Sequence, residues 1–309
     1  TLLGGSGNSH SNNTAIGAYA GTSVTTGGNN FFGGYQAGYA VTTGGNLTAL
    51  GHSALKSATT ITSAVAIGHR AGQNTTTGGQ NVFVGNQPGY SNTTGSSNTA
   101  LGYIAMYNNQ TGGSNVAVGT SALQGGSGNH SFNTAIGFEA GKAITTGSNN
   151  FFGGYRAGKA ITSGTYNVAI GANSLDAITT GDHNVALGND AGGAITGGED
   201  NIAIGTDALN TLAAGYNNVA IGRNALKLST ANTNTAVGHV AMAANTSGSG
   251  NSAFGAYALD ANTTASGSTA IGHQAGSSNT ASNGTFVGKD AGLANTTGVN
   301  GCMIGFEAG

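Results

Sequence analysis

The chain has 309 residues, of which 58 are glycine, one is proline and only 6% are charged. Ordinary globular domains carry roughly 25% charged residues, and the net charge of −2 leaves no basic footprint for nucleic acid or an anionic membrane. Glycine has no three-residue period, no stretch approaches ~20 continuous apolar residues and Cys302 stands alone, which argues against collagen, a membrane-spanning helix, a disulfide framework and a cysteine zinc site.

The first complete element begins at Asn13 and reads Asn-Thr-Ala-Ile-Gly-x-x-Ala-Gly to Gly21. The same phrase returns to the end of the chain. Taking the glycine after Ile as a marker (position 0), the markers run from Gly17 through Gly34, Gly51 and Gly68 to Gly305, and 14 of the 17 intervals are 17 residues. One interval is 18 and two are 16. A fixed period this short is the signature of a solenoid in which each repeat is one coil. The expected fold is all-β, a parallel β-solenoid (β-roll) of about 18 coils, forming a single continuous repeat domain over 1–309.

Within each coil, position −1 is Ile, Val, Leu or Phe in 16 of 18 cases, position −3 is mostly Thr or Val, and Ala, Phe or Met fills position −2. This β-branched run bounded by glycine predicts a short strand. Alternation puts positions −3 and −1 on one face, taken here as the coil interior, and the Ala/Phe column on the other. Alanine three residues after the marker, then Thr-Thr-Gly as at Thr25–Gly27, predicts a second short strand entering a turn whose glycine supplies positive φ. Asparagine at position −4 in 13 coils predicts a hydrogen-bonded amide ladder.

Along the chain, several coils depart from this plan. Asn29–Gly38 reads NNFFGGYQAG, and Asn149–Gly158 repeats it as NNFFGGYRAG. Both carry two phenylalanines and then Gly33 or Gly153 where Ile is usual, the neighbouring Phe being expected to replace the lost volume. His52 and His69 follow consecutive markers and should be stacked neighbours. The extra residue of the 18-residue coil falls within Gly125–Phe132.

The titratable residues do not assemble into a recognisable reaction centre. Of the histidines at 10, 52, 69, 130, 183, 239 and 273, four directly follow a marker glycine, a position that holds Tyr, Thr, Arg or Lys in other coils, which favours exposed surface positions over a metal row. Glu139, Asp190, Asp207, Asp290 and Glu307 occupy a common column; Asp190 and Asp207 could share a cation, but solvated charge is the simpler reading. No GxSxG elbow, P-loop lysine or calcium-repeat series is present. The expectation is a non-enzyme with no catalytic, cofactor-binding or metal-binding residues.

Val65-Ala66-Ile67-Gly68-His69-Arg70-Ala71 resembles the V-A-I-G-x-x-[SA] repeat of trimeric autotransporter adhesin heads, and the N-T-A-I-G-x-x-A-G phrase is similar to repeats of phage tail-fibre-like proteins. That resemblance implies a left-handed β-roll, a trimer of identical chains, an extracellular, cell-surface or virion location, and a sticky surface for host or matrix glycans or proteins. The family coil is commonly shorter than the 17 residues found here. Independently of the family, an outward apolar column along every coil is more than a monomer usually exposes and favours lateral self-association.

The expected function is a structural or adhesive fibre segment. One alternative is an ice-binding solenoid built on Thr25, Thr42, Thr59, Thr76 and Thr93; another is the shaft of a phage tail fibre. Thr1–Asn8 aligns with Ala122–Asn129, so the chain begins and ends in nearly the same coil phase, which suggests coils continuing head to tail in a filament.

Overall fold

A computed structural model of the chain describes residues 12–126 and 128–309. His10 and the opening segment Thr1–Asn8 lie outside the described residues. The protein is an all-β parallel solenoid with no helix among the described residues. It divides into two compact units, Thr1–Gly153 and Gly154–Gly309. The first holds nine strands from β1 (Thr14–Ile16) and β2 (Phe31–Gly33) to β9 (Phe151–Gly153). The second holds nine from β10 (Val168–Ile170) to β18 (Cys302–Ile304). Each strand is three residues long and pairs in parallel with the strand one repeat away, as Thr14↔Phe31 and Val168↔Val185.

The expected Thr-Thr-Gly strand is absent: outside the named strands there is a single isolated bridge among the described residues, Gly45↔Thr62. That side of the coil is nevertheless bonded from coil to coil. The Thr25 amide donates to the Thr42 carbonyl at 2.9 Å, and the Thr25 hydroxyl donates to the same carbonyl. The turn glycine is also not in the positive-φ region. Gly27 is required by close approach, because a Cβ there would lie 2.1 Å from the Gly44 carbonyl oxygen.

The marker glycine meets both constraints. Gly17 has φ +127°, and a Cβ on it would sit 2.7 Å from the Gly34 oxygen. Left-handed corners fall on residues other than glycine as well, at positions +2 and +12, such as Gln36 (φ 56°) and Asn46 (φ 59°). Three such corners per coil, counting Gly21 or Leu55 at +4, bend a short repeat back on itself.

The face assignment from sequence is inverted. Ala49, Ala66, Ala100 and Ala135 are fully buried, as are Phe32, Phe83, Phe152 and Phe286 in the same column. Positions −3 and −1 point outward, with Ile136 46% and Ile170 44% exposed. The reason is the size of the coil. With 17 residues and several backbone corners, the interior admits small side chains on the strand side.

Volume inside is then traded between position −2 and position +4. Where −2 is Ala, +4 is often long: Leu55, Met106, Leu123, Leu209 and Leu259 are all buried. Where −2 is Phe, +4 is Gly. A Cβ on Gly38 would lie 2.3 Å from the Phe32 ring, and one on Gly292 would lie 2.2 Å from the Phe286 ring. Close packing of this kind leaves little room for either partner to grow.

Candidate functional surface

The asparagine column forms the expected ladder, and each amide does more than bond its neighbour. The Asn81 Oδ1 accepts the Asn98 backbone N–H at 2.8 Å, and the Asn98 Oδ1 accepts that of Asn115 at 3.1 Å. Meanwhile the Asn81 Nδ2 donates to the Gly95 carbonyl at 2.8 Å, and the Asn98 Nδ2 to that of Gly112 at 2.9 Å. Each side chain thus ties its strand to the turn of the next coil across the interior. The second unit repeats the pattern from Asn167 through Asn184, Asn201, Asn218 and Asn234 to Asn251. These amides are buried and structurally committed.

The histidines separate into two environments. His52 and His69 are exposed neighbours with ring centroids 5.4 Å apart and planes tilted by 39°, in a row that continues through Tyr35 to an edge-on contact with Tyr19. His183 stacks on Tyr166 at 5.2 Å, and His239 and His273 flank Tyr257 edge-on. His130 is the exception. It lies wholly buried in the 18-residue coil, and neither ring nitrogen has a hydrogen-bond partner. Gly126 stands where a side chain, most often Asn or Ile, fills other coils, and the imidazole reaches in to meet Gly125, whose Cβ would lie 3.1 Å from Nε2. Burial lowers the His130 pKa to about 4. Periodicity could not show this, because the inserted residue shifts the column in which His130 stands.

Three carboxylates at position +2 lie in ion pairs with lysine. Glu139 pairs with Lys142 at 2.6 Å and Asp207 with Lys227 at 3.3 Å, while Asp290 takes Lys289. Asp207 and Asp190 are also linked through Asn210, which donates to the Asp207 carboxylate and to the Asp190 carbonyl. Burial, and then the charge of Asp190, push the Asp176 carboxyl above its usual range. Among the described residues no group of three His, Cys, Asp or Glu side chains is placed to hold a metal ion, and no helix is long and apolar enough to cross a membrane. A shallow groove of about 390 Å³ lies over Leu228, Val240, Ala243 and Ala244, edged by Lys227 and Asp260.

Threonine hydroxyls at position +8 are spent on the backbone: Thr25, Thr42, Thr59 and Thr76 each donate to a carbonyl one coil on. The adjacent column, Thr26, Thr43, Thr60, Thr77 and Thr94, is exposed.

The most extensive chemical feature is the outward face of the strands. Its two columns, positions −3 and −1, contain no charged residue in any of the 18 strands. Strands ~4.8 Å apart stack nine of these pairs in each unit, a stripe on the order of 40 Å long. Comparison with family models, with curated proteins and with solved structures yields no match, so the reading of this face rests on the molecule itself.

Proposed function

We propose that this chain is a structural segment of an extracellular fibre, that it assembles laterally with copies of itself through the outward strand face, and that its remaining faces present an attachment surface. The observation that carries the proposal is the charge-free, partly exposed Val/Thr and Ile/Leu/Val stripe. Surface strands facing water usually alternate apolar-in with polar-out, and soluble monomers rarely expose a contiguous apolar patch of several hundred Å². The inverted face strengthens the case for association, since the outward columns carry Ile, Leu and Val where small Ala was expected.

A trimer, and the adhesive and cell-surface parts of the reading, follow from the resemblance of the V-A-I-G repeat to adhesin heads. The structural part follows from economy: equivalent coils with interiors committed to packing and amide bonding supply a scaffold, and the Tyr/His column and the ion-paired side supply variety on its surface.

Sedimentation of the full chain across a wide concentration range tests the association. A mass above the 29.8 kDa of one chain is expected, with return to that mass in a variant carrying Ile67→Asp, Ile136→Asp and Ile170→Asp. A wild-type protein that stays monomeric at every concentration would refute lateral assembly.

A further inference from the structure

The outward face departs from its usual Thr or Val with Ile, Leu or Val pairs most clearly at β2, β9 and β15; β15 pairs Ser252 with Phe254, while the first two, both in the first unit, bring in a glycine. In every strand but β2 and β9, position −1 carries a side chain. In those two, the pair is Phe31 with Gly33 and Phe151 with Gly153. The expectation that the second phenylalanine fills the space left by these glycines is not met: Phe32 and Phe152 point into the core. Phe31 and Phe151 point outward, 39% and 38% exposed. Next to Phe31 the surface drops at Gly33, bounded on one side by Leu50, whose Cδ2 lies 2.8 Å from where a Gly33 Cβ would be. Each pair therefore sets a projecting ring beside an absent side chain.

We propose that these two pairs are knobs and notches that fix the axial register between copies of this chain. The inference rests on the lateral association argued above and names its partner as a second copy at the same level. The geometry is general. If copies surround a cyclic axis with strands at one height, the end of a strand bearing position −3 meets the end of its neighbour's strand bearing position −1. A two-fold contact across crossing strands brings the same two positions together. Phe31 of one copy then lies against Gly33 of the next, and Phe151 against Gly153.

A slip by one strand instead sets Phe31 against a filled position, Ile16 or Leu50, and leaves the glycine uncovered. Overpacking and a cavity are created together, and both are unfavourable. Elsewhere in the first unit, neighbouring strands present similar pairs, Thr or Val with Ile, Leu or Val, so the rest of that unit's stripe favours association while barely distinguishing one register from the next. Two locks seven strands apart engage together only at zero slip. Buried aromatic anchors are also where interface energy concentrates.

The test is an exchange of knob and notch in the full chain. One variant carries Phe31→Gly and Phe151→Gly, a second Gly33→Phe and Gly153→Phe, and a third all four. Neither glycine is in the positive-φ region, so a side chain is compatible with the backbone. Circular dichroism melting confirms that each variant folds. Two facing notches or two facing knobs should each weaken association by roughly tenfold or more, and the four-fold exchange should restore it to within about threefold. Register is read by oxidative cross-linking of Thr99→Cys with Leu101→Cys on a Cys302→Ser background, which should be efficient in the parent and the exchanged variant and poor in the notch variant. If association persists but the two sets of effects simply multiply, or cross-linking ignores them, the lock is wrong and the association stands. A parent chain that is monomeric throughout removes both.

Discussion

Two stretches of the first unit build the same coil from different interiors. From Asn81 to Asn150 the column before each strand is an unbroken run of buried asparagines. At Leu47 and Ala64 that run is interrupted, and the space is filled by Val41, Leu47, Ala58 and Ile61, all buried. The backbone register is unchanged across the interruption, as Thr48↔Val65 and Thr99↔Val116 show. The coil therefore does not require the amide ladder. What the ladder adds is direction: an aliphatic interior rewards any close packing, whereas each amide has acceptors and donors that are satisfied in one geometry only.

The largest expected effect applies to both stretches and tests which face is inside. Ala135→Asp buries a carboxylate without a partner and should cost more than about 5 kcal/mol, enough to lose the cooperative thermal transition. Ile136→Asp, one residue along and outward, should cost the monomer less than about 1 kcal/mol while abolishing assembly. Denaturation midpoints for the two variants, with sedimentation for the second, decide the matter. Equal destabilisation would break the inside–outside assignment.

Exchanging the two interiors sharpens the comparison. Asn115→Leu strands the Asn133 amide, which Asn115 Oδ1 accepts at 3.0 Å, and the His130 carbonyl, to which Asn115 Nδ2 donates at 2.9 Å. With unpaired buried groups costing about 1–3 kcal/mol each, the loss should be about 3–5 kcal/mol. Leu47→Asn enters a site where Asn30 Oδ1 already accepts the Leu47 amide at 3.0 Å. It extends the ladder by one rung and should cost about 1–2 kcal/mol, chiefly in lost aliphatic burial. Urea denaturation of both proteins measures the asymmetry; similar costs would mean the ladder is ordinary packing.

The period, the strand at each marker and the buried asparagines were all legible in the sequence, because each leaves a mark at a fixed spacing. The face was not. Alternation says that Val65 and Ile67 share a side and Ala66 takes the other, but which side is inside depends on the interior volume of a coil. That volume appears only when Leu55 at position +4 is seen to occupy the core alongside Ala49. A usable signal did exist: Phe at −2 accompanies Gly at +4, as Phe32 with Gly38 and Phe83 with Gly89, and such compensation marks residues in contact. The turn glycine was misread for a similar reason, since close approach and positive φ both select glycine. His130 needed the structure outright, because an insertion breaks the arithmetic that would have placed it.

His130 sets its coil apart within the laddered stretch: it is buried, and neither ring nitrogen has a hydrogen-bond partner among the described residues. Its pKa is about 4 in the folded protein and near 6.5 unfolded. The unfolded chain thus binds the extra proton first, and stability falls as pH drops from about 6.5 towards 4, then levels off. A shift of this size corresponds to about 3 kcal/mol when fully expressed. The surrounding groups give no compensating charge: Glu139 and Lys142 of the next coil pair with each other, and Asn109, Asn115 and Asn133 are neutral. Amide exchange at pH 7 and pH 4.5 should show opening that begins between β7 (Val116–Val118) and β8 (Thr134–Ile136). His130→Leu should flatten the pH dependence; an unchanged profile would mean that other groups control acid sensitivity.

The smallest effect concerns the outer corners of the same two stretches. Position +2 is left-handed in both, but Ser53 occupies it beside the aliphatic interior and Ile104 beside the laddered one. Serine tolerates φ 59° at small cost. Isoleucine at φ 48° sets a branched Cβ against the following carbonyl, a conformation about 1–2 kcal/mol unfavourable for such residues. Ile104 is only partly buried, so little packing is lost on replacing it. Ile104→Asn should stabilise the chain by about 1 kcal/mol, seen as a rise in the urea midpoint with unchanged slope. Ser53 is buried and free of a branched side chain, so Ser53→Asn has no comparable strain to relieve and should lower the midpoint, by about 1 kcal/mol of overpacking. If Ile104→Asn proves destabilising, the isoleucine contributes contacts at that corner that outweigh its backbone strain, and the two stretches differ on their surfaces as well as inside.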